Sequence, residues 1–143
     1  MNPSDVASAT TTIQAPVARV WDALINPDMI KRYLFGTNTT SDWKPGSPIR
    51  WTGEWQGRAY EDKGAVLDVQ PGRLLRFTHF SPLSGLPDTP DSYQTVTMTL
   101  TEERPRTTLV VSWDKNPTEE ARRHNEANWK VVLEGLKKLL EEC

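Results

Sequence analysis

The sequence predicts an α+β domain in which helices gather on one face of a bent antiparallel sheet. Three observations predict it. Apolar residues near the N-terminus recur at helical spacing, the middle of the chain switches to a period of two, and the chain closes on a long amphipathic stretch.

"SATTTIQA" is rich in β-branched residues and reads as the first strand. Pro16 then suits the first turn of a helix through "PVARVWDALIN", where Val17, Val20, Trp21 and Leu24 form one stripe. Pro27 ends that helix, because the residue before a proline avoids the helical region. "PDMIKRYLF" reads as a second short helix with Gly36 after it.

The period then changes. "PIRWTGEW" places Ile49, Trp51, Gly53 and Trp55 on one face and Arg50, Thr52 and Glu54 on the other. "GAVLDVQPGRLLRFTHF" reads as strand, turn, strand, with "QPGR" as the turn. "SPLSGLPDTPDS", from Ser81 to Ser92, has loop composition, and its length suits a lid. "YQTVTMTLTEERPRTTLVVSW" is a hairpin. Val96, Met98 and Leu100 alternate with threonines, as do Leu109, Val111 and Trp113 with Thr108, Val110 and Ser112.

The last helix starts near Asn116 as its cap, with Pro117 in the first turn and Glu119 at a capping-box position. Farther along, Trp129, Val132, Leu133, Leu136, Leu139 and Leu140 make an apolar stripe, opposite Lys130, Glu134, Lys137, Lys138 and Glu141. The partner expected for that stripe is the concave face of the sheet.

A chain of 143 residues fits one domain, residues 1–143, and can bury a core. Net charge is −2, which supplies no basic field for nucleic acid or anionic lipid. The apolar runs are too short for membrane insertion, and the N-terminus carries no pattern of a secretory signal. The single Cys143 offers neither an internal disulfide nor a zinc cluster. A cytoplasmic setting is expected. "NTT" at Asn38 matches a glycosylation acceptor, which carries no weight without export.

The order and spacing of several segments resemble a known family. "IQAPVARVWDALINPDMIKRYL" is similar to the opening of SRPBCC or START-like proteins, in the branch related to the activator of the 90-kDa heat-shock protein ATPase. "KGAVLDVQPGRLLRFTH", the late hairpin and "NWKVVLEGLKKLLE" resemble that family's later strands and closing helix, with Asn128 where glycine is common. The resemblance runs from about Ile13 to Leu140. It implies a helix-grip fold, a curved antiparallel sheet wrapped around the C-terminal helix, often with a cavity between them. Relatives use such cavities for lipids, hormones or polyketides, and a few catalyse cyclisation. The eukaryotic activator also has an N-terminal chaperone-binding domain, for which this chain is too short.

The expected function is therefore binding of a small hydrophobic or amphipathic ligand between helix and sheet. A polyketide cyclase/dehydratase-like enzyme and a chaperone-associated stress-response protein are the alternatives. Among six tryptophans, Trp51, Trp55, Trp113 and Trp129 are candidate wall residues, and Phe77 and Met98 join them. Trp129 on a helix stripe also fits a plain core role, and Gly53 between Trp51 and Trp55 either leaves room for a ligand or marks a bulge. Arg122 and Asn125 extend the last helix's stripe and are candidates for holding a ligand's polar end at the cavity mouth; solvated positions are the other reading. His79 is a candidate rim residue and His124 a solvated one. Neither has a nucleophile or orienting carboxylate at a diagnostic spacing, so no catalytic residue is assigned. No metal-ligand spacing, phosphate loop or cofactor motif is present, and neither cofactor nor metal is expected. A homodimer and a chaperone contact stay open as partners.

Overall fold

The structure, a computed structural model, describes residues 6–34, 36–55, 57–81, 87–89, 92–115 and 119–141, apart from the side chain of Trp55. Strand β1 (Ala7–Ile13) is followed by helices α1 (Val17–Ile25) and α2 (Pro27–Tyr33). Strands β2 (Asn38–Thr40), β3 (Pro48–Trp55), β4 (Arg58–Gln70), β5 (Leu74–His79), β6 (Gln94–Glu103) and β7 (Arg106–Trp113) precede the long helix α3 (Glu119–Glu141). One seven-stranded sheet in the order β1-β7-β6-β5-β4-β3-β2 results, and every neighbouring pair is antiparallel. This is the expected α+β, helix-grip arrangement.

Local chemistry explains most boundaries. Asn26 separates the first two helices, and its side chain accepts from the Asp28 N–H at 3.0 Å, capping α2. Pro16 caps α1 in an extended conformation, one position earlier than a first-turn proline. Gly72, at φ 77°, turns β4 into β5, a backbone state glycine adopts without strain. The proposed caps Asn116 and Pro117 lie outside the described residues, as does most of the Ser81–Ser92 loop.

Two elements differ from expectation. β2 forms from "NTT", whose Thr39 is buried, and it adds an edge strand beside β3. β4 begins at Arg58 rather than near Gly64, so thirteen residues serve two partners. The first part pairs with β3 and the last part with β5, across a register shift between Val66 and Asp68. A bulge of this kind bends a strand. At the crossing, a Cβ on Gly64 would stand 1.7 Å from the Thr78 carbonyl oxygen. Only glycine permits that approach.

Helix α3 lies closest to β1, with α1 and α2 as further neighbours. Val132, Leu133, Leu136 and Leu140 of its stripe are buried, and the three leucines join Ile13, Ile49, Leu75, Leu109, Val111 and Trp113 in one core. Burying each such side chain stabilises the fold by roughly 1.5–3 kcal/mol. Lys137, on the side expected to be polar, reaches the Thr12 carbonyl at 2.5 Å, and Glu141 accepts from the Gln14 N–H at 2.8 Å. The end of α3 is thus pinned to the end of β1. Among the described residues, no helix is long and apolar enough to cross a membrane.

Candidate functional site

Period-two alternation sends Trp51 and Gly53 of β3, Tyr60 and Asp62 of β4, Leu75, Phe77 and His79 of β5, Gln94, Val96 and Met98 of β6, and Trp113 of β7 to the same side of the sheet. Apart from Gly53, all of them line one cavity of about 540 Å³. The helices supply the facing wall, with Leu24 from α1, Ile30 and Tyr33 from α2, and Asn125, Asn128, Trp129 and Val132 from α3. Because α3 sides with β1, the space over the middle strands is not filled by the helix.

The wall is apolar toward Leu75, Phe77, Val96 and Met98 and polar toward Tyr60, Asp62, His79 and Gln94. The Trp113 and Trp129 rings meet at 5.7 Å between centroids, so the α3 tryptophan is both core and wall. Trp51 packs against Phe77 at 5.7 Å and edge-on against His79 at 5.0 Å.

The polar end is built by strand pairing. His79 Nε2 and Asp62 Oδ2 stand 3.0 Å apart, 17 residues apart in the chain. No sequence spacing diagnoses such a pair, because the β4–β5 crossing brings it together. Thr78 Oγ1 accepts from the Ala65 N–H at 2.9 Å, and Lys63 and Phe80 exchange backbone hydrogen bonds of 2.9 and 2.7 Å. These fix the crossing on either side of the pair. Asp62 Oδ1 is buried and, among the described residues, takes no hydrogen bond. The indole Nε1 of Trp43, another lining residue, is in the same condition.

Tyr60 resolves the two readings of Gly53. The residues are cross-strand partners, and a Cβ at Gly53 would meet the Tyr60 hydroxyl at 2.5 Å. The space above Gly53 is occupied by the Tyr60 ring, whose hydroxyl bonds Thr37 Oγ1 at 2.6 Å. From the helix side, the Tyr33 hydroxyl donates to the Ala23 carbonyl at 2.7 Å, and burial pushes its phenol well above the usual tyrosine range. Outside the cavity, Lys63 and Asp88 form an ion pair that Tyr93 joins by donating to Asp88 at 2.6 Å. The Lys63 hydrogen bond holds the Asp88 carboxyl below its ordinary value. Tyr93 also stacks on Phe80, so this cluster fastens residues near 88 to β4.

Seven of the nine residues singled out from sequence stand in the cavity wall: Trp51, Phe77, His79, Met98, Trp113, Asn125 and Trp129. Trp55 ends β3, and its side chain lies outside the described set. Arg122 is not among those seven. It sits about two turns N-terminal to Trp129, off the wall, and its guanidinium lies 3.7 Å from both Glu119 and Glu126 of its own helix. His124 is exposed. Sequence reasoning missed Tyr60, Asp62, Gln94 and Trp43. Alternation extended backward from Val66 through Gly64 marks the first two, provided the strand is begun at Arg58. Among the described residues, no cluster of metal-ligating side chains is found.

Residues 14–141 match the family model for "Activator of Hsp90 ATPase homolog 1-like protein". The chain belongs to this family. The solution structure of ChR145 from Cytophaga hutchinsonii is 50% identical, covers 96% of this chain and 94% of its own, and has a TM-score of 0.85. MLL2253 from Mesorhizobium loti, at 22% identity, covers 96% and 97% with a TM-score of 0.78. The Aha1 dimer from Colwellia psychrerythraea, at 18% identity, covers 95% and 96% with a TM-score of 0.73. The last two share the fold. No curated protein sequence matches the chain.

Proposed function

We propose that this family member is a binding module for a small apolar or amphipathic molecule held between α3 and the sheet. One observation carries the reading: a cavity of about 540 Å³ has aromatic and aliphatic side chains over most of its wall and a polar group of Tyr60, Asp62, His79 and Gln94 on its strand side. A naphthalene-sized body burying about 300 Å² of apolar surface would gain about 7 kcal/mol gross. Association costs at least about 4 kcal/mol, so fragment probes bind near millimolar strength and the polar end sets selectivity.

The test uses the protein's own reporters, since Trp43, Trp51, Trp113 and Trp129 all line the cavity. Titration with a panel of lipids and aromatic compounds to millimolar concentration is expected to give saturable fluorescence changes with at least one member. Met98→Trp, which sets a larger ring against the apolar wall and narrows the cavity, is expected to weaken them. A panel without any saturable response, or binding untouched by Met98→Trp, would refute the reading.

A second reading has one observation behind it, the His79–Asp62 pair facing the same cavity. With its Nε2–H donating a hydrogen bond to Asp62, the neutral imidazole keeps an Nδ1 lone pair that accepts a proton from a bound carbon acid, as a cyclase/dehydratase-like enzyme requires. Deuterium exchange at the α-carbon of a β-keto ester, lost in His79→Gln, is the expected sign. Equal exchange in both proteins removes this reading. The Colwellia relative's dimeric state makes self-association worth measuring by light scattering, with a homodimer as the expected outcome.

A further inference from the structure

The electrostatics of the cavity wall carry the reading one step further, to the sign of the ligand's charge. Two carboxylates, Asp62 and Glu54, line the cavity, and among the described residues no lysine or arginine does. Asp62 is largely shielded from water: its side chain is 19% exposed, and among the described residues Oδ1 meets no donor and His79 alone meets Oδ2. A carboxylate short of hydration and hydrogen-bond donors favours any cation brought beside it and penalises any anion. Glu54, turned by alternation to the other face of β3, lines only the exposed rim and adds a second negative charge there.

The aromatic faces have the same sign preference. Trp51 is the direct cross-strand partner of Asp62, and Tyr60 lies two residues from it on the same face of β4. Indole and phenol rings present negative faces to a cation. Two cationic side chains of these strands are engaged elsewhere: Lys63 points to Asp88, and Arg50 pairs with Glu61 at 3.2 Å.

We infer that the cavity selects an organic cation, an aromatic or aliphatic body bearing a protonated amine, and rejects carboxylates such as fatty acids. The inference rests on the reading of the cavity as a ligand site. Three probes on one frame separate the two claims: 2-naphthylmethylamine, 2-naphthalenemethanol and 2-naphthoate, titrated at pH 7 and low salt with tryptophan fluorescence and ligand-observed NMR. The amine is expected to bind at least tenfold more tightly than the alcohol, and the acid more weakly than either. In Asp62→Asn/Glu54→Gln the amine-to-alcohol ratio is expected to fall toward one while the alcohol's affinity holds. Glu54→Gln alone, at an exposed position, provides a variant whose folding is not at risk and is expected to lower the ratio part of the way.

If the alcohol binds but the amine shows no advantage, or the acid matches the amine, the charge inference falls and the binding reading stands. An amine preference that survives the double variant also overturns it. If none of the three binds the native protein, both claims fall together.

Discussion

Replacing Gly64 with alanine tests the crossing on which the polar end of the cavity depends. The added Cβ would lie 1.7 Å from the Thr78 carbonyl oxygen and 2.6 Å from its carbon. Contacts under 3.0 Å are essentially never seen, so β4 and β5 must separate by at least 1.3 Å, which is 3.0 minus 1.7. Paired strands stand only about 4.8 Å apart, and such a shift breaks the hydrogen bonds between them. Those at risk are Ala65 N–H to Thr78 Oγ1 and the two Lys63–Phe80 backbone bonds. At about 1 kcal/mol net for each bond, with about 1–3 kcal/mol of overpacking strain, the expected loss is about 4–6 kcal/mol. Gly135 in α3 is the control, because its Cβ would meet nothing closer than Tyr33 Cβ at 3.6 Å. Alanine there is expected to stabilise by about 0.5–1 kcal/mol through helix propensity. Urea unfolding followed by circular dichroism measures both. A Gly64→Ala protein within about 1 kcal/mol of the native one would refute the tight crossing, on the scale of a single net hydrogen bond.

Leu136→Ala removes a side chain that is 1% exposed in the α3 stripe and is expected to cost about 3 kcal/mol. Val131→Ala, at a 57% exposed position, should stay within about 0.5 kcal/mol in the same unfolding assay. The Glu141 carboxyl is held below its ordinary value by the Gln14 N–H first and Lys137 next. Its contribution is therefore complete above the ordinary carboxylate range and disappears as pH falls through the depressed value. The stability difference between native protein and Glu141→Gln should be constant from neutrality down to about pH 5 and vanish in stronger acid. Tyr33→Phe leaves the Ala23 carbonyl without its 2.7 Å donor, and thermal melting should register about 1 kcal/mol of lost stability.

The elements were largely legible because their causes are local. Asn26 and Pro27 separate two helices through capping and proline geometry within three residues. The Thr-rich alternation of β6 and β7 reports its buried face residue by residue, and Val96, Leu100, Leu109, Val111 and Trp113 are indeed buried. The α3 stripe follows from helical period alone. Where the local signal is weak, no pattern marks the element: "RAYED" at the start of β4 has no apolar alternation, and a three-residue strand such as β2 has no period to detect.

The candidate site divides along the same line. Trp51, Phe77, Met98 and Trp113 reach one face because adjacent side chains on a strand point oppositely, which periodicity reveals. The Asp62–His79 pair depends on which residues of β4 and β5 meet, and that register follows from the bulge after Val66 and the close approach at Gly64. Arg122 shares the helical side of the cavity residues, yet two carboxylates of its own helix flank its charge. Periodicity assigns a face. Which polar groups meet on that face, and how much room the helix leaves above them, follows from long-range pairing that no local pattern encodes.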